Sequence, residues 1–136
     1  MLRFVLVVAL ASGFTAASAC GYCVEDKIAS TYDHSVVTRA LAQRHHVAFF
    51  HVDGPASPAE AARRALEEAV YSVPGVDKGS ARVSPDRLTV SFSFDPRQVS
   101  LAAVNTRLDR KLAARRLSLM PLRVMEEPAD LKTVKR

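Results

Sequence analysis

Cys20 and Cys23, in the tetrapeptide CGYC, are the only cysteines in the chain, so each has only the other as an intramolecular partner. Two thiolates separated by two residues at the start of a helix can both face one ion. The helix N-terminus also lowers thiol pKa, which favours the deprotonated form that metals bind. The same pair suits thiol–disulfide exchange, with Cys20 attacking and Cys23 resolving. It also allows a local disulfide, which would stabilise the fold only weakly because the loop it closes is very short. The spacing shows that the two sulfurs act together and leaves these chemistries open.

The segment before this pair, MLRFVLVVALASGFTAASA, has one arginine, an apolar run and a small-residue end. That is the layout of a secretory leader, so residues 1–19 are read as a cleaved signal peptide and the rest as periplasmic or secreted. Ala17-Ser18-Ala19 fits an ordinary small-x-small cleavage site better than a lipoprotein box, which favours an unmodified Cys20. Lipid anchoring at Cys20 is the less favoured reading, and acylation would make its sulfur a thioether and remove the two-thiolate site.

Without the leader, 117 of the 136 residues remain, enough for one core and too few for a large catalytic cavity. No later run approaches the roughly 18 apolar residues of a bilayer span. Phosphate-loop, HExxH and GxSxG patterns are missing, and outside the cysteines no nucleophile–base pair stands out, so the chain does not read as an enzyme. The net charge is +5. Arg107, Arg110, Lys111, Arg115 and Arg116 fall on one predicted helix without interleaved aromatics. With the leader, this argues against nucleic acid and for a solvated face that attracts an acidic protein partner or anionic lipid.

Further ligands are scarce. His34 returns to nearly the same helix face as Cys23 but lies roughly 16 Å further along a straight helix. With Asp33 beside it, it reads as a polar surface pair. His45 and His46 fall at a helix-to-strand turn, where solvation is expected. His51 lies within a strand and reads first as a hydrogen-bonded sheet residue. Met120 and Met125 carry soft thioethers, with Met120 expected in the core and Met125 at the start of the tail.

Apolar residues at three- to four-residue steps predict an amphipathic helix over residues 21–44, with acids early and bases late. Residues 46–52 (HVAFFHV) read as a strand covered on both faces. Ser57, Pro58 and Glu60 form a capping-box pattern that opens a helix with Ala62, Leu66, Ala69, Val70 and Val73 as its buried stripe. Pro74-Gly75 ends it. A weak strand over 76–84, a clean alternating strand over 88–94 (LTVSFSF), a helix over 101–115 and a strand over 117–124 follow. The order strand, helix, strand, strand, helix, strand packs as a four-stranded antiparallel sheet with two helices on one face, a ferredoxin-like α+β sandwich. The extra N-terminal helix is expected against the remaining face. The expected division is therefore a CxxC-bearing helix over 20–45, the sandwich over 46–125 and a frayed tail over 126–136.

The stretch VDGPASPAEAARRALEEAVYSVPGVDKGSARVSPDRLTVSF, with Gly54 leading a loop and Pro74-Gly75-Val76 closing a helix, resembles the heavy-metal-associated domain family. The likeness runs from about Val47 to Val124 and implies the same fold. In that family two loop cysteines three apart hold the metal. The matching positions here are Ser57 and Glu60, hard oxygen groups unsuited to a cuprous ion and already employed as a helix cap. The resemblance therefore implies metal chemistry relocated to Cys20 and Cys23, with Cu(I) the expected ion, since two thiolates suffice for it whereas zinc prefers four ligands. The rival readings are a thiol–disulfide exchange protein and a metal-free interaction module.

Overall fold

The computed structural model describes residues 19–55, 57, 59–128 and 130, with side chains from residue 24 onward. Most of the expected leader and of the expected tail lie outside these residues.

Strands β1 (His46–Asp53), β2 (Arg82–Ser84), β3 (Thr89–Phe94) and β4 (Ser118–Met125) form one antiparallel sheet in the order β2-β3-β1-β4. Helices α3 (Ala59–Tyr71) and α4 (Leu101–Leu112) cover one face. There Ala48, Phe50 and Val52 of β1 and Val90, Phe92 and Phe94 of β3 pack on Leu66, Val70, Val104 and Leu108. Phe50 and Phe92 stack with centroids 5.5 Å apart. This is the ferredoxin-like arrangement read from the sequence. The weak strand over 76–84 shortens to β2 plus a single bridge between Val76 and Phe94.

The second face is also covered. Val47, Phe49 and Met125 form a separate core with Ile28, Val37, Ala40 and Leu41, contributed by α1 (Ala19–Thr31) and α2 (His34–Ala42). This corrects the single helix expected over 21–44. Asp33 adopts an extended backbone (φ −120°), and its Oδ1 accepts from the amides of Ser35 at 2.9 Å and Val36 at 3.2 Å, capping α2. A straight helix of that length would run about 36 Å, whereas four strands span only about 19 Å. The break keeps the apolar stripe on the sheet.

Because of this second layer, the alternation in LTVSFSF does not mark a solvated face: all six residues of β3 are buried. Ser91 Oγ donates to the carbonyl of Thr31 at 2.9 Å, and Ser93 Oγ to Asp77 Oδ2 at 2.6 Å. The small hydroxyls let the helices approach and satisfy polar groups beneath them. The helix expected over 101–115 ends at Leu112, and a 3₁₀ turn (Ala113–Arg115) leads to Arg116 in a left-handed conformation (φ 57°). At the start of the expected tail, Asp130 accepts the amides of Glu126 at 2.8 Å and Glu127 at 3.0 Å. No described helix is long and apolar enough to cross a membrane.

Candidate metal centre

Cys20 and Cys23 both lie in the helical backbone of α1, three positions apart, which makes them neighbours on the helix surface. Their sulfur positions lie outside the described side chains. The turns that follow show how this helix is held. Arg123 of β4 forms an ion pair with Glu25, including an Nη1–Oε2 contact of 3.2 Å, and Arg87 meets Asp26 at 2.6 Å. Lys27 Nζ lies 2.8 Å from His51 Nδ1 and 3.3 Å from the carbonyl of Arg87. Three consecutive side chains of α1 therefore hold it against β4, β1 and the β2–β3 turn, and Ile28 sits fully buried beneath. The CxxC belongs to a helix docked on the fold.

His51 Nδ1 also lies 3.0 Å from the carbonyl of Leu88. That carbonyl also accepts from the amide of Val52 at 2.7 Å, so Lys27, His51 and the β2–β3 turn share one polar contact at the start of α1. The Nδ1 side of the ring is thereby engaged within the fold.

The other histidines are occupied elsewhere. His34 bonds Tyr32 Oη at 3.2 Å, at the far end of α1 from Cys20. His46 stacks edge-on against Phe94, with Glu126 at 3.9 Å. His45, expected to be solvated, is largely buried: its side chain is 14% exposed, its Nδ1 lies 2.9 Å from Asp77 Oδ2, and its Nε2 lies 3.7 Å from Asp95. It ties the end of α2 to the two turns that carry these acids. Only the tertiary fold brings Asp77 and Asp95 to it, so no local sequence signal pointed there. Met125 is fully buried in the second core, whereas Met120, expected in the core, is 56% exposed on β4.

At the loop that Gly54 leads, Val52, Pro55, Ser57, Leu66, Val83 and Leu117 are among the residues lining a 130 Å³ hollow. Glu60 is taken by Arg64 at 3.2 Å, with Arg63 at 3.9 Å. Pro58, the first position of the expected helix, lies outside the described residues. Nothing soft is available in this hollow. Among the described residues no group of three His, Cys, Asp or Glu side chains is placed to hold an ion.

The fold and the docked CxxC helix define the class: a ferredoxin-like α+β sandwich carrying a two-helix layer over its second face. No family model matches the chain, and no curated protein matches it significantly. Among solved structures it is similar to the NMR solution structure of a ZiaAN sub mutant, with 26% sequence identity and a TM-score of 0.39 over 54% of this chain and 92% of that one.

Proposed function

We propose that this chain is an exported carrier of a soft metal ion that binds Cu(I) through the thiolates of Cys20 and Cys23, for buffering or delivery and not for catalysis. The observation that carries this reading is the docking of α1: Glu25, Asp26 and Lys27, in the turn that follows the CxxC, are tied to Arg123, Arg87 and His51. A disordered CxxC would lose conformational entropy on closing around an ion, and a helix already held in place reduces that cost. Two thiolates satisfy near-linear Cu(I), whereas zinc would need further ligands. The leader pattern supports a periplasmic or secreted location.

The cationic surface fits an acidic protein partner for delivery. Arg107, Arg110, Lys111, Arg115 and Arg116 are all exposed, and no ion pair among the described residues involves them.

The deciding experiment is an anaerobic titration of the reduced protein with Cu(I) against a chromogenic chelator, beside a Cys20→Ser/Cys23→Ser variant. One-to-one binding that vanishes in the variant is expected. Failure of the native protein to compete would overturn the reading and leave disulfide exchange or a metal-free interaction.

A further inference from the structure

We propose that the seam between α3 and α4 docks an acidic segment of a partner protein, with one bulky apolar side chain of that segment seated in the hollow beside Gly54; this deepens the reading of an acidic partner and is independent of the metal.

The apolar end of the seam is built for a side chain. Ala62, Leu66, Val83, Leu88 and Leu117 are among the residues lining the 130 Å³ hollow, and an apolar cavity of about 150 Å³ takes a benzene-sized group. Leu88 forms part of this wall while 47% exposed. Its backbone is left-handed (φ 52°), and its carbonyl accepts from the amide of Val52 at 2.7 Å. That conformation serves the turn, and asparagine adopts it more readily than leucine. What the leucine adds is an apolar surface at the mouth of the hollow.

The hollow continues along the two helices. A second one of 80 Å³ shares Pro55, Ala62 and Leu117 with it and adds Ala65 and Arg115. Arg115 and Lys111 border the next cleft, of 230 Å³, opposite Ala65, Ala69 and Ser72. Lys111, Arg110 and Arg107 border a further one of 410 Å³ opposite Ser72 and Pro74. Small residues of α3 thus form one bank, and the cations of α4 and the turn after it form the other. None of these cations has an ion pair among the described residues, and Glu68 is the one acid among the residues lining these four hollows. From Arg107 to Arg115 the bank runs about 12 Å, room for about four residues of an extended chain.

Exposed ion pairs are individually weak, so the cations steer and orient the segment while the buried apolar side chain supplies most of the affinity. A phospholipid surface spreads its charge over a plane. This seam is concave, and its cations follow one line away from an apolar hollow, which suits a polypeptide.

The test is fluorescence anisotropy at low salt with three labelled peptides of glutamates, carrying a leucine at the amino end, at the carboxyl end or not at all. A leucine-bearing peptide should bind about tenfold more tightly than the plain one, and salt should weaken both. Lys111→Ala/Arg115→Ala and Ala62→Leu, which fills the hollow from α3, should each cost that peptide about tenfold. Leu88→Asn removes the apolar wall, keeps the turn and should act like Ala62→Leu; it decides the matter if circular dichroism shows that Ala62→Leu unfolds. Arg39→Ala, at an exposed cation of α2 in the other layer, should change nothing. Equal binding of all three peptides, unmoved by the hollow variants, would overturn the anchor while leaving an acidic partner standing. A loss in Arg39→Ala as large as that in Lys111→Ala/Arg115→Ala would mean diffuse attraction and overturn the site. Binding to phosphatidylglycerol vesicles but to no peptide would assign the cations to a membrane, and binding to neither would overturn the site and the acidic-partner reading together. The Cu(I) titration stands apart from each of these outcomes.

Discussion

Thr31 is buried at the end of α1, and its hydroxyl finds no hydrogen-bond partner among the described residues, although its carbonyl accepts from Ser91. Removing an unsatisfied buried hydroxyl while keeping its shape is favourable, so Thr31→Val should stabilise the protein by about 1 kcal/mol in urea denaturation. Gly54 behaves oppositely. At φ 144° a Cβ there would stand 2.6 Å from the carbonyl oxygen of Arg116, a backbone atom with little freedom to yield. Gly54→Ala should lower the melting temperature, with a loss of more than about 1 kcal/mol. Gly54 was legible as the leader of a loop. The burial of His45 was not, because Asp77 and Asp95 lie 32 and 50 positions further along the chain and only folding brings them together.

At the scale of elements, the strands and the two helices of the sandwich followed from periodicity, and the β1 pattern correctly implied cover on both faces. The break between α1 and α2 was missed because the apolar spacing continues through Tyr32 and Val36, while the stop signal is one short acid followed by Ser35. Asp33→Ala removes that cap and should destabilise the protein by about 1 kcal/mol. The second layer is integral to the fold, since Phe49 is fully buried beneath it. Phe49→Ala should therefore cost about 3–5 kcal/mol, and circular dichroism and tyrosine fluorescence should report one shared unfolding transition. A cost below about 1 kcal/mol would mean that α1 and α2 are dispensable cover.

For the whole molecule, charge pairing is uneven. Acids tie the two-helix layer to the sheet, while the cations of α4 and the turn after it face solvent. The hydroxyl of Ser35, the amide of Val36 and the guanidinium of Arg82 hold the Asp33 carboxyl well below the usual carboxylate range. Asp95 is held low by the side chain and amide of Arg97, with help from Gln98. The unfolded chain takes up protons at these groups first, near pH 3.9, so their contribution is complete above that value and is lost as pH falls toward their folded values. Urea midpoints should reflect little loss from these groups between pH 7 and 5 and a clear loss between 5 and 3, smaller in Asp33→Asn. The sequence by itself determined the element order, the sandwich topology and the placing of Cys20 and Cys23 three positions apart, because periodicity, turn residues and spacing are local properties. Only the tertiary structure decided that the helix bends at Asp33, that the serines of β3 are buried and that Met120 stands exposed. Those outcomes depend on the size of the sheet face and on which distant side chains cover it.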